Sequence, residues 1–164
     1  MKHKIFTLIL LLITAGFVAE ANPVDVRTAR EAAYKFVNAN AKVPMHSMEE
    51  LQLATTYNIA RGTAAFHVFN TPNGFVIVAA DDCSTPILGY SDEGRPFDVE
   101  NVPIQMLEYL RGFVEQIEYG IEHRLQADEN TVRQWQQVLA TGQMRDNSLD
   151  DRLEKALMKK AVKI

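Results

Sequence analysis

Cysteine is almost absent from this chain of 164 residues: there is one, Cys83. A lone thiol cannot close an internal disulfide, so a covalently stapled scaffold is excluded and stability must come from an ordinary core. A basic surplus is missing as well. Seventeen Lys and Arg stand against 21 Asp and Glu, a net charge of −4, which argues against a nucleic-acid partner, since such a face needs an excess of cations. Eight Gly and six Pro are too few for a collagen-like or linker-dominated chain. The length falls short of the roughly 200 residues of a TIM barrel. Beyond Val18 no apolar run is long enough to span a bilayer. What remains is one compact domain, whose 47% apolar and 23% charged residues suit a folded chain rather than a disordered one.

The first residues have a composition of their own. Lys2, His3 and Lys4 are followed by 14 mostly apolar residues from Ile5 to Val18, and then by Ala19, Glu20 and Ala21. A positive start, a short apolar run and small residues before a cleavage point make residues 1–21 a secretory signal peptide, with cleavage expected after Ala21. The run is short of the roughly 20 residues of a membrane span. No Cys follows it, so a lipoprotein anchor is not supported. Removing Met1 to Ala21, with its two Lys and one Glu, leaves 143 residues and shifts the net charge from −4 to −5. The expected product is exported, periplasmic or secreted, with no membrane association after cleavage.

In the mature chain, Ala29, Ala33, Phe36, Val37 and Asn40 follow the spacing of one helical face. The helix starts near Val26, capped by Asp25 or by a box of Thr28 and Glu31. Leu51, Leu53, Thr55 and Tyr57 alternate with polar or small residues as in a half-buried strand. Further strands are expected at residues 64–70, 75–80 and 86–91. Asn73-Gly74 between two of them is a strong hairpin signal, and the run 75–80 is apolar on both faces, as a central strand should be. These short connections imply an antiparallel meander. After a loop at residues 92–96, Pro103 suits a first helical turn, and Ile104, Leu107, Leu110, Val114, Ile117, Ile121 and Leu125 form a stripe of about six turns. Residues 130–140 and 148–162 offer two more helices with thinner apolar faces, expected to pack loosely or to await a partner. The fold class is therefore α+β: an antiparallel sheet of about four strands packed on a long helix, with an N-terminal helix beside it and a helical C-terminal tail. Residues 22–125 form the main domain and 126–164 the tail.

Catalytic chemistry is hard to find. Cys83 with His67 or His123 is the one thiol pairing available, and Asp81 and Asp82 beside Cys83 would raise its pKa by repelling a thiolate. His46, His67 and His123 lack metal-ligand spacing. There is no Gly-rich phosphate loop and no G-x-S-x-G elbow. Asp81-Asp82 and Asp150-Asp151 suit turns and caps better than acid–base pairs. No enzyme, cofactor or metal is expected.

Residues 65–70 (AFHVFN), 74–82 (GFVIVAADD) and 85–91 (TPILGYS), continued by Phe97, Asp98 and Glu100 to Pro103 into the long helix past Tyr109 and Ile117, resemble the propeptides of streptopain-like cysteine proteases of family C10. They are also similar to the small free-standing Spi-type inhibitors related to those propeptides. The resemblance covers about residues 24–121. Family zymogens carry a papain-like catalytic domain after this region, whereas the present sequence stops at Ile164, so the expectation is a propeptide without its enzyme.

The resemblance implies a partner, a C10-type cysteine protease, and a mode of action. In the family the loop before the long helix approaches the active site, and an Asn there is associated with holding the catalytic His out of register. The matching position is Asn101, within a protease-blocking loop that also includes Gly94, Phe97 and Asp98. A neutral amide has the donors and acceptors to fill the polar space of a Cys–His pair. Asn101 is equally well explained as a residue that helps begin the helix, and one residue can do both. The expected function is stoichiometric inhibition by a chain that is monomeric when free, through a surface of roughly 800 Å² on each partner. Two alternatives stay open: a non-inhibitory propeptide remnant of a truncated protease, or a cell-surface adhesion or assembly module using an exposed strand edge.

Overall fold

Four short runs rich in β-branched and aromatic residues pair with their neighbours in chain order, as hairpin-length connections dictate. In the computed structural model, which describes residues 22–144, β1 (Gln52–Asn58), β2 (Ala64–Thr71), β3 (Gly74–Ala79) and β4 (Ile87–Ser91) form an antiparallel sheet in the order β1-β2-β3-β4. The β2–β3 register is unbroken from Phe66 opposite Ala79 to Thr71 opposite Gly74. Pro72 and Asn73 are therefore the two turn residues. Gly74 is required for a reason other than turn conformation: a Cβ there would sit 2.0 Å from the Ser91 carbonyl oxygen. The expected helix at residues 148–162 and the signal segment lie outside the described residues.

Three helices accompany the sheet: α1 (Val26–Asn40), α2 (Ile104–Glu122) and α3 (Glu129–Thr141). Asp25 caps α1, its carboxylate accepting the Thr28 N–H at 2.7 Å, so the simpler of the two expected caps forms. A 3₁₀ turn at Met48–Glu50 precedes β1 and carries a reciprocal capping box between Ser47 and Glu50.

Strand alternation shows which helix covers which face. Phe66 of β2 stacks on Tyr57 with ring centroids 4.7 Å apart and meets Phe113 of α2 edge-on at 6.4 Å. Phe69, three residues on and thus on the opposite face, lies under the Arg30 guanidinium of α1, 5.7 Å from its ring centre. The N-terminal helix is therefore across the sheet from the long helix rather than beside it. Two-sided cover is why β2 and β3 bury residues of both parities, including Phe66, Val68, Phe69, Val76, Ile77 and Val78.

The helical stripe of α2 is only partly used. Leu110 and Ile117 are buried and Val114 and Ile121 pack against the core, but Ile104 and Leu107 at the helix start are 62% and 40% exposed. The helix stops at Glu122, followed by Arg124 in a left-handed conformation (φ 50°). Leu125, expected in the stripe, falls in the exposed connection.

A loosely packed tail is not what residues 129–141 form. Helix α3 lies against α1, with Thr131, Trp135 and Val138 buried at i, i+4 and i+7. Backbone-directed bonds finish the contact. The Trp135 indole donates to the Ser84 carbonyl at 2.8 Å, Asn40 Nδ2 donates to the Gly142 carbonyl at 2.9 Å, and the Lys35 ammonium donates to the Leu139 carbonyl. Gly142 ends the helix in the left-handed conformation (φ 77°), and a Cβ there would meet the Lys35 carbonyl oxygen at 2.1 Å. The buried face of this helix is supplemented by polar contacts to main chain that no hydrophobic period reveals.

Candidate functional site

The segment between β4 and α2 has no regular structure, so its shape depends on side chains from the sheet. Phe97 is its anchor, only 8% exposed in a stretch that is otherwise largely exposed. Asn70 and Phe75, directly paired across β2 and β3, hold it together. Asn70 Oδ1 accepts the Phe97 N–H at 2.7 Å and its Nδ2 donates to the Phe97 carbonyl at 3.2 Å. The Phe75 ring meets the Phe97 ring edge-on at 5.5 Å. Neither Asn70 nor Phe75 stands out in the sequence as a loop-shaping residue, because a polar residue before a Pro-Asn-Gly turn is ordinary turn chemistry.

Beyond the anchor, the chain folds back on itself. Asp98 Oδ1 accepts the Glu100 N–H at 3.0 Å, Asp98 Oδ2 accepts Asn101 Nδ2 at 2.8 Å, and the Asn101 N–H donates to the Asp98 carbonyl at 3.2 Å. The Asn101 amide, followed by the Glu100 N–H, holds the Asp98 carboxyl below its usual range. Both side chains are exposed. The helix-starting explanation for Asn101 does not hold: the N-cap of α2 is Pro103, with no side-chain capping bond. The Asn101 side chain closes a loop instead of opening a helix.

Gly94 is exposed, at φ +140° with open space around it, a conformation that favours glycine. At the near end of the segment, Glu93 pairs with Lys42 and its carbonyl accepts the Ser91 hydroxyl at 3.1 Å. The four residues singled out from sequence thus share one segment, in which Asp98 and Asn101 bond directly, Phe97 supplies the buried anchor and Gly94 supplies a bend. Val99, Ile104 and Leu107, all exposed, add apolar surface beside the Asp98–Asn101 turn.

The thiol and imidazole groups are arranged differently. Cys83 is half-buried, and its thiol is pushed up to about 12, first by burial, then by its bond to Asp81 and by the charges of Asp81 and Asp82. The acidic flank raises the thiol pKa as expected, and burial is the largest single cause. His67 is buried on the α1 face with Nδ1 2.9 Å from the Thr56 hydroxyl, and burial lowers its pKa. His123 stacks on Tyr119 at the end of α2. Among the described residues no three His, Cys, Asp or Glu side chains gather as a metal site would need.

Fold and site together define a class: an α+β domain that displays a loop braced from beneath by its own sheet, next to the exposed first turn of a helix. Residues 21–117 match the Spi protease inhibitor family, and the protein belongs to that family. It is also 33% identical, over 116 residues, to the thiol protease/hemagglutinin PrtT of Porphyromonas gingivalis, an alignment covering 69% of this chain and 13% of that protein. The chain thus spans a small part of that relative's length. No solved structure matches. The resemblance carried by residues 65–91 and the Phe97 to Pro103 segment is borne out at the level of the family.

Proposed function

We propose that this protein is an exported inhibitor of a streptopain-like, C10-type thiol protease, and that it binds one-to-one with the segment around Asn101 in the protease active site. Membership of an inhibitor family and the likeness to part of a thiol protease support the protease partner. The observation that carries the mode of action is the Asp98–Asn101 pair on a loop anchored by Phe97. A loop already held in shape loses little conformational freedom on docking, and one that does not extend is a poor substrate. An exposed amide gives the polar groups of a Cys–His pair a partner that carries no charge. Val99, Ile104 and Leu107 would lose water to the same partner, as the core of a protein interface does. The free chain is taken to be a monomer.

The test is a titration of residues 22–164 against a streptopain-like protease, with papain as the comparison. Activity of the first should fall linearly to an end point at one equivalent. Full activity at micromolar inhibitor would overturn the proposal. A second reading, a pro-region without independent inhibitory action, is favoured by the alignment to 13% of a larger thiol protease. An in-frame or frameshifted catalytic domain in the DNA downstream would select it, and a separate neighbouring protease gene would select the inhibitor.

A further inference from the structure

Asn22 is held by a carboxylate that the loop site does not use. Its backbone nitrogen lies 2.8 Å from Asp82 Oδ1 and its side-chain Nδ2 3.3 Å from Asp82 Oδ2. Both oxygens of one carboxylate thus close on a residue 60 positions earlier in the chain. The register of this contact is fixed by main chain. Val24 N–H donates to the Ala80 carbonyl at 2.9 Å, Asp82 N–H donates to the Asn22 carbonyl at 3.1 Å, and Pro23 bridges to Asp81 in antiparallel fashion. Immediately afterwards Asp25 caps α1. Asp81, by contrast, is buried and accepts the Cys83 N–H at 3.0 Å, which commits it to the turn.

We infer that Asp82 is the receptor for the chain's own α-ammonium group, created when the Ala21–Asn22 peptide bond is hydrolysed. The inference rests on the export reading, in which Asn22 becomes the first residue. Hydrolysis consumes one water, breaks the C–N bond, leaves a carboxylate on Ala21 and gives Asn22 a free amine, which is protonated at neutral pH. Before cleavage the Asn22 nitrogen offers Asp82 one neutral N–H. Afterwards the same atom carries a full positive charge, so a hydrogen bond charged on one side becomes an ion pair charged on both. Asparagine at position 82 would still accept the Asn22 N–H of the uncleaved chain, though not the side-chain Nδ2 as well. A carboxylate gains most from the cleavage, because only it pairs its own charge with the new one. The site is also selective for one starting residue, since a further residue carries the ammonium about 3.3 Å along the strand. Processing thereby secures the strand that leads into α1.

The ionisable groups around this strand are Asp81 and Asp82 in the turn, Cys83 beside them, Asp25 at the head of α1, and His67, which the Val24 backbone and the Asp25 charge influence. The experiment therefore compares four chains in a cycle that cancels the common background. They begin at Asn22 or at Ala21, each with Asp82 or with Asp82→Asn, and are released from a fusion that leaves the chosen first residue. The readout is the proton affinity of the α-amine, followed by NMR titration. Asp82→Asn should lower it about two- to fivefold in the Asn22 chain, and much less in the Ala21 chain. Equal effects in the two backgrounds would overturn the inference. So would an amine of the Asn22 chain that is indifferent to Asp82→Asn. Because the starting residue is set by design, this result is independent of export. The link to export is tested by the mass of the protein recovered outside the cytoplasm, which should begin at Asn22, and a different first residue would overturn that link alone.

Discussion

Asn70 grips Phe97 with both ends of one side-chain amide, accepting from its N–H at 2.7 Å and donating to its carbonyl at 3.2 Å. The amide imitates a strand partner for a residue that has none, and it ties the loop to the end of β2. Removing it orphans two main-chain groups of a buried residue. Asn70→Ala is therefore expected to cost about 1–2 kcal/mol in urea unfolding. The same change should weaken protease inhibition, because the loop loses its shape as well as its anchor. Asn70→Asp keeps the acceptor for Phe97 N–H but sets a negative oxygen against the Phe97 carbonyl, and should lose at least as much at neutral pH.

The Asp98–Asn101 pair makes a prediction with a definite sign. Asp98 titrates below its ordinary range, chiefly because Asn101 Nδ2 bonds its ionised form. A carboxyl whose folded pKa is depressed contributes stability above its unfolded value of about 3.9, and that contribution disappears as pH falls through the lower folded value. Asn101→Ala should return Asp98 toward the ordinary range, observable by NMR titration. Unfolding at neutral pH should change little, since Asn101 is exposed and caps no helix. Inhibition should weaken about tenfold or more, the loss of one well-placed contact of about 1.4 kcal/mol. Undiminished inhibition by Asn101→Ala would remove this residue from the blocking role.

Trp135 offers a third test, in the helix that was expected to be loose. It is the sole tryptophan, 8% exposed, with its indole N–H on the Ser84 carbonyl. Trp135→Phe retains most of the buried ring and loses the hydrogen bond, for an expected cost of about 0.5–1.5 kcal/mol. Trp135→Ala should cost about 3–5 kcal/mol. In the unaltered protein the indole fluorescence should be blue-shifted and should move to the red at the same urea concentration at which helical circular dichroism is lost. A fluorescence change well before that point would separate α3 from the core.

Much of this architecture was legible because it obeys short periods. Residues 75–79 are apolar at every position, and they became a strand covered on both sides. Asp25 and the Pro-Asn-Gly turn acted at the positions that their local chemistry indicates. What escaped depends on contacts between distant segments. Ile104 and Leu107 carry the right spacing for burial yet stay exposed, since a period defines a face and not what lies opposite it. The α1–α3 contact is completed by Lys35, Asn40 and Gly142, whose bonds and close approach to main chain across it no apolar spacing reveals. At the site, Phe97, Asp98 and Asn101 entered through a family resemblance, whereas Asn70 and Phe75 became visible only once β2 and β3 were paired beneath the loop.

Gly120 and Cys83 supply the last prediction, from a close approach inside the core. A Cβ at position 120 would stand 2.8 Å from Cys83 Sγ. Replacing a glycine within a helix by alanine ordinarily gains up to about 1 kcal/mol. Here the contact with sulfur should reverse the sign, giving a net loss of about 1–3 kcal/mol in urea unfolding. Cys83→Ala in the Gly120→Ala background removes the obstructing atom and should recover most of that loss, whereas additive losses would place the strain elsewhere. The thiol itself is expected to resist alkylation at pH 8 in the folded protein and to react once urea unfolds it, because its folded pKa is raised to about 12. The accompanying stability is fully present below the unfolded thiol value of about 8.5 and is lost as pH rises toward the folded one. Rapid labelling of the native protein at pH 8 would show that Cys83 is ionised despite its burial.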